Sequence, residues 1–335
     1  MSAVGIIGAG SWGTALAIHL ARRGLSPRLW ARDPALAREL RERARNPRYL
    51  PGIALPPGIL ATSEGGEALG GASIVIVAVP SQFLRAVMAR LGTVVPRGAI
   101  VVSATKGLEP DRGLRVSQLL GEILPGSPVA VLSGPSFARE VALGLPTALV
   151  VASGDRQVAR FVQQELASPE FRLYTNRDVI GVELAGALKN VVAIAAGLSD
   201  SLYLGENARA ALVTRGLAEI VRLGVAFGAS ARTFLGLAGL GDLVLTATGT
   251  LSRNRALGLE VGRGKSLAEV EGSTRSVAEG ARTVASALRL AAEAKVSMPI
   301  CEAVASVLHG GTPAARALAG LLARSLQAED EGDDG

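Results

Sequence analysis

The segment Gly8-Ala-Gly-Ser-Trp-Gly13 restricts the fold of this chain more than any other. It follows the apolar run Ala3-Val-Gly-Ile-Ile7 and leads directly into a helical pattern from Thr14 to Arg23 that stops at Gly24. G-x-G-x-x-G between a strand and a helix carries a defined geometry. Gly8 makes the tight turn, Gly10 lets backbone approach a pyrophosphate, and Gly13 brings helix and strand into close contact. The helix N-terminus offers free N–H groups and the positive end of a dipole to phosphates. The segment therefore predicts an α/β Rossmann-type doubly wound sheet that begins with a dinucleotide site.

Further apolar runs extend that sheet. Pro27 to Ala31, Ile74 to Val79, Ala99 to Ala104, Val129 to Leu132, Thr147 to Ala152 and Arg172 to Thr175 read as strands, with a proline-rich loop over Asn46 to Pro57. In a doubly wound sheet the ligand crevice lies at the carboxyl ends of the strands. Lys106, Gly134 and Ser136 follow such ends and should meet the glycine turn there. From Gly181 the strand pattern gives way to Ala/Leu-rich helical segments reaching about Leu326. The expected division is a dinucleotide-binding domain over 1–180, an all-α C-terminal domain over 181–328, and an acidic tail, 329–335, too polar to order itself.

The end of the second strand bears on cofactor choice. An acidic residue there would hold the adenosine ribose. Here the order is Ala31-Arg32-Asp33-Pro34, and Asp33 before a proline reads as a helix N-cap. Arg32 is then free to meet a 2′-phosphate, which favours NADP or dual use; an arginine simply facing solvent is the competing reading.

The helix opening the second half, Asp178 to Gly197, is apolar almost all round and should be buried. It nevertheless carries Lys189, flanked three and four residues away by Ala185, Gly186, Val192 and Ala193. Burial lowers a lysine pKa and turns the amine into a usable base. A lysine that reaches solvent or pairs with a carboxylate such as Glu183 is the alternative. Gly236 to Leu243 is too glycine-dense for a plain helix interior, and Asp242 within it could sit against Lys189 or hold a substrate hydroxyl. Ser252-Arg-Asn254 opens another helix with Ser252 as N-cap. Its N–H groups, with Arg253 and Asn254, make a seat for a phosphate monoester, against plain capping and a surface arginine.

Composition narrows the function classes. The net charge of +6 raises nucleic acid as a partner, but the arginines alternate with glutamates, as in Arg38 to Arg45, and aromatics make up only 3%. That pattern describes solvated helix faces without a base-stacking surface. Cys301 is the single cysteine, so no internal disulfide can form and a reducing, cytoplasmic compartment is expected. No signal-peptide pattern and no apolar run of membrane-spanning length are read, and no metal is expected. Lysine occurs only at 106, 189, 265 and 295, which makes Lys106 and Lys189 conspicuous. His19 reads as packing and His309 as a helix end.

Assembled, these motifs resemble the bacterial-type NAD(P)-dependent sn-glycerol-3-phosphate dehydrogenases. The resemblance runs from Val4 to the last helix through Gly8 to Ala15, Asn46 to Pro51, Lys106-Gly-Leu, Leu132 to Ala138 and Leu188-Lys-Asn-Val191. It continues through Gly205 to Leu212, Thr214-Arg-Gly-Leu, Gly236 to Leu243, Leu251 to Arg255 and Val277-Ala-Glu-Gly280, with Ala247 departing from the family's cysteine. The resemblance implies Lys189 as proton acceptor, with Lys106, Gly134, Ser136, Asp242, Ser252, Arg253 and Asn254 lining the substrate. It implies Ser11, Trp12, Arg32, Lys106, Ala138, Arg253, Val277 and Glu279 along the cofactor. The implied reaction is hydride transfer between C2 of glycerol 3-phosphate and nicotinamide, feeding phospholipid synthesis.

Two other functions fit parts of the sequence. A β-hydroxy-acid or sugar-acid dehydrogenase would share fold and helix lysine but would present a carboxylate instead of a phosphate. A dinucleotide-binding regulator would have no need of Lys106, Asp242 and Arg253 together. Oligomeric state is left open by the sequence, a homodimer included.

Overall fold

A computed structural model describes residues 2–273 and 278–324. Val277 and the acidic tail, both named above, lie outside the described residues. Among the described residues there are ten strands: β1 Val4–Ile7, β2 Arg28–Trp30, β3 Arg45–Asn46, β4 Leu50–Ala54, β5 Leu60–Thr62, β6 Ile74–Val77, β7 Ile100–Ser103, β8 Val129–Ser133, β9 Thr147–Ala152 and β10 Phe171–Asn176. The helices before residue 180 are α1 Ser11–Arg22, α2 Pro34–Arg43, α3 Gly65–Leu69, α4 Ser81–Leu91, α5 Val116–Ile123, α6 Ala138–Leu143 and α7 Arg156–Leu166. Then follow α8 Val179–Ser201, α9 Gly205–Ala226, α10 Ala231–Phe234, α11 Asp242–Thr248, α12 Arg253–Gly262, α13 Leu267–Ser273, α14 Gly280–Ala294, α15 Pro299–Leu308 and α16 Ala314–Leu322.

Eight strands form one sheet in the order β10-β9-β8-β7-β6-β1-β2-β5. β1 and β6 lie inside it and are buried at every position, which is why they are continuous runs of Val, Ile and Gly. Ile7 pairs with Trp30 on one side and Val77 on the other, fixing the register at the end where the glycine turn begins. All neighbours are parallel except β8 and β9, so β9 and β10 run against the rest. Apolar side chains cover both faces: α1, α6 and α7 contribute to one layer, α3, α4 and α5 to the other. The proline-rich loop departs from its expected form, because Arg45 pairs with Ala54 and Asn46 with Leu50 in an antiparallel ribbon. Asn46, fully buried, ties that ribbon to α1 through Nδ2 bonds to the Ala9 carbonyl and Thr14 Oγ1, at 3.0 and 2.8 Å.

Beyond β10 the described residues are helical, and α8 is the axis of a separate apolar core. Every residue from Gly181 to Leu198 is buried. By length and composition α8 could cross a membrane, contrary to the expectation that no run reaches that length. Its apolar window is 89% buried against the rest of the chain, so its hydropathy reflects a core position. Glycines let α12 lie against it: a Cβ on Gly258 would stand 2.1 Å from the Ile194 carbonyl, and one on Gly197 would stand 2.0 Å from that of Arg255. Glu183 does not pair with Lys189. It takes Ser117 N and Oγ at 2.6 Å and Arg115 Nη1 at 2.7 Å, joining α8 to α5. The histidines pack: His19 Nε2 meets the Leu166 carbonyl at 2.7 Å, and His309 Nε2 that of Ala281 at 3.2 Å.

Candidate active site

The glycine turn behaves as its sequence requires. Gly8 has φ +112°, and a Cβ on Gly13 would fall 1.9 Å from the Gly8 carbonyl oxygen, so neither position tolerates a side chain. A Cβ on Gly10 would meet nothing within 4 Å, because that residue faces open space. Gly10 is also the N-cap of α1 and offers no side-chain oxygen to the first-turn N–H groups. Trp12 Nε1 is buried without a hydrogen-bond partner among the described residues. A diphosphate with polar groups on either side fits this arrangement; an apolar ligand would not use it. Ser11 faces the same cleft, and its hydroxyl donates to the Tyr49 carbonyl at 2.6 Å, which holds the ribbon beside the turn.

The cleft has a volume of about 390 Å³ and runs from the carboxyl edge of the sheet to the helical core. Gly10, Ser11 and Trp12 line one end of it with Ala138. Lys106, Ser136, Lys189 and Asp242 line its middle, and Ser252, Arg253, Asn254 and Glu279 the far side. Gly8, Gly13 and Gly134 stand behind this lining. Arg32 is exposed beyond it, its guanidinium 5.9 Å from the centre of the Phe83 ring.

At the centre are two lysines and one aspartate. Lys189 Nζ is 3.1 Å from Asp242 Oδ1 and donates to Thr246 Oγ1 at 2.7 Å. Lys106 Nζ donates to Asp242 Oδ2 at 2.8 Å, to the Gly134 carbonyl at 2.7 Å and to Ser136 Oγ at 3.1 Å. All three ammonium hydrogens of Lys106 are thus engaged. Burial brings the Lys189 pKa down to about 8; the Asp242 carboxylate opposes that shift and Lys106 adds to it. Arg253, across the cleft, is not among its principal causes. Burial likewise raises Glu279 to about 6, against the pull of Arg253, Lys189 and Lys106.

The α12 start is built as the sequence suggests, with one difference. Ser252 Oγ accepts from Arg255 N at 3.2 Å, and Arg253 is exposed at the cleft. Asn254, however, is buried: its Nδ2 donates to Asn190 Oδ1 at 2.9 Å and its Oδ1 accepts from Gly280 N at 3.0 Å. Its amide locks α12 to α8 and α14. Asn190 completes that chain by donating to the Lys106 carbonyl at 3.2 Å. Sequence reasoning passed over Thr246 and Asn190 as site residues. The signal for Thr246 was its spacing, four residues after Asp242 on one face of α11. The glycine-dense stretch before it is a π-helical turn, Leu237–Gly241, which delivers Asp242 to the lysines.

A phosphate-sized glycine turn at the carboxyl edge of a doubly wound sheet, facing a buried amine of lowered pKa, defines a dinucleotide-dependent oxidoreductase. Residues 3–159 and 178–319 match the N-terminal and C-terminal profiles of NAD-dependent glycerol-3-phosphate dehydrogenase. Glycerol-3-phosphate dehydrogenase (NAD(P)+) of Geobacter sulfurreducens is 52% identical over 97% of this chain and 98% of its own length. The enzyme of that name from Moorella thermoacetica is 48% identical over 99% and 98%. The crystal structure of glycerol-3-phosphate dehydrogenase from Coxiella burnetii superposes with a TM-score of 0.93 at 40% identity, covering 96% of this chain and 99% of that one. A ketopantoate reductase from Ralstonia eutropha, 17% identical with a TM-score of 0.64, shares the fold alone. The chain belongs to the NAD-dependent glycerol-3-phosphate dehydrogenase family.

Proposed function

We propose that this chain interconverts sn-glycerol 3-phosphate and dihydroxyacetone phosphate with NAD or NADP, and that Lys189 exchanges the proton of the C2 oxygen. The observation that carries the reading is the position of Lys189 Nζ. It is buried at the cleft, held by Asp242 and Thr246, with a pKa near 8. Near neutral pH such a group is available in both protonation states, as reversible alcohol–ketone chemistry requires. The bound nicotinamide supplies hydride exchange at the substrate carbon. Lys106, on releasing Ser136 or Gly134, has an N–H to direct at the developing carbonyl oxygen. Asp242 keeps the two ammonium groups together, and Thr246, which donates to the Asp242 carbonyl at 2.6 Å, fixes the direction of the Lys189 amine.

Arg253 and the first turn of α12 are the seat for the substrate phosphate, with Ser252 as cap. Gly8 to Gly13, with Ser11, Trp12, Ala138 and Glu279, hold the dinucleotide, and exposed Arg32 reads its 2′-phosphate. The division of labour follows in the main: residues 1–180 carry most of the cofactor contacts and 181–328 most of the substrate contacts, with Glu279 reaching back to the cofactor and Lys106 forward to the substrate. A cytoplasmic enzyme supplying glycerol 3-phosphate for phospholipid synthesis is the role this chemistry suits. The test is NADPH oxidation with dihydroxyacetone phosphate, dihydroxyacetone or hydroxypyruvate. Turnover confined to the phosphorylated ketone supports the reading; comparable turnover with hydroxypyruvate would favour a hydroxy-acid dehydrogenase.

A further inference from the structure

The end of β2 contains an acid at the place where such folds often bind the adenosine ribose, yet that acid is engaged elsewhere. Asp33 Oδ1 accepts from Ala35 N at 2.9 Å, capping α2, while Oδ2 lies 2.5 Å from Arg48 Nη1. Arg48 stands in the ribbon between β3 and β4, next to Tyr49, whose carbonyl receives the Ser11 hydroxyl. Arg48 Nε also approaches Glu39 at 3.7 Å, and Glu39 in turn pairs with Arg43 at 3.3 Å. Arg32, adjacent to Asp33, has no carboxylate within 4.0 Å among the described residues. Of these five residues Arg43 and Arg48 pair with Glu39 and Asp33, which leaves one excess positive charge, at Arg32.

We infer that Arg48 is a specificity-determining residue for the dinucleotide, acting through Asp33. By compensating that carboxylate it stops an uncovered negative charge from repelling a 2′-phosphate beside Arg32. Without Arg48 the same five-residue surface is neutral, and Asp33 is a free acceptor of the kind that holds a ribose 2′-hydroxyl. Arg48 therefore favours NADPH over NADH without touching either. The inference rests on the dehydrogenase reading above.

Direct binding tests it in the full-length protein, with dissociation constants for NADPH and NADH measured by titration calorimetry. The set comprises the parent, Arg48→Ala, Asp33→Asn and the double variant. Asparagine keeps the capping oxygen, so Asp33→Asn removes charge without removing the cap. Exposed charges of this kind alter affinity roughly 1.5- to five-fold, and less at high salt. Arg48→Ala should weaken NADPH relative to NADH by that factor at low salt. Asp33→Asn in the same background should restore the parent ratio, and 0.5 M salt (roughly a 4 Å screening length) should shrink the difference. Equal losses for the two cofactors, or no recovery in the double variant, would reduce Arg48 to a fastening of the ribbon and overturn the inference. Failure of the parent to bind either dinucleotide would instead overturn the dehydrogenase reading on which it stands.

Discussion

Lys189 Nζ and Asp242 Oδ1 stand 3.1 Å apart at the junction of the sheet and the helical core, and neither side chain is more than 7% exposed. The pair is not an isolated salt bridge, since Lys106 shares the same carboxylate. One negative charge between two amines keeps the cluster bound together while leaving Lys189 able to lose its proton near pH 8.

Lys189→Ala should fold normally, because the side chain borders the open cleft and Asp242 keeps Lys106 as partner. Its kcat should fall by roughly 10²–10⁴, the usual worth of a positioned acid–base group. Circular dichroism and steady-state rates decide it; near-parent turnover would remove Lys189 from the proton step.

The sign of the pH dependence follows from which form of Lys189 each direction needs. Oxidation needs the neutral amine, so its rate should climb as pH passes about 8; ketone reduction needs the ammonium and should decline over the same range. The Asp242 carboxylate raises that midpoint. Asp242→Asn should therefore move both limbs to lower pH, besides lowering the rates. Profiles of kcat/KM in the two directions would show it, and a midpoint displaced upward would contradict the assignment.

Arg253→Ala should lower kcat/KM for dihydroxyacetone phosphate by about 10- to 150-fold, corresponding to a charged hydrogen bond worth roughly 1.5–3 kcal/mol. The residual rate with unphosphorylated dihydroxyacetone should scarcely change. Equal losses on both ketones would place Arg253 on the cofactor alone.

Two glycine-to-alanine changes should have opposite signs. Gly258→Ala drives a methyl into the Ile194 carbonyl, 2.1 Å away, and should cost about 1–3 kcal/mol, lowering Tm by several degrees. Gly121→Ala, in α5 with nothing within 4 Å of the added carbon, should raise stability by up to about 1 kcal/mol through helix propensity. Thermal melts of both variants would settle whether α8 and α12 are in contact at these glycines.

The sequence by itself determined the elements whose cause is local. A G-x-G-x-x-G between strand and helix permits few backbones, Asp33-Pro34 and Ser252 cap the helices they precede, and buried parallel strands need unbroken Val and Ile. The apolar periodicity of α8 likewise announced a buried helix, while leaving open whether the Lys189 amine reached solvent. Tertiary structure decided what depends on distance between segments remote in the chain. Which acid pairs with Lys189 was such a question: Glu183, six residues away, goes to Arg115 instead, and Asp242, fifty-three residues later, arrives on a π-helical turn. The fate of Asn254 was another, because its amide is engaged in the α8–α12–α14 contact although the residue still borders the cleft. The reversal of β9 and β10 and the β3–β4 ribbon belong with these, being choices of strand partner. Caps, turns and periodicity act within a few residues and are written in order. Partners of buried charges and strands are fixed by packing, where small energy differences between distant residues choose the pair.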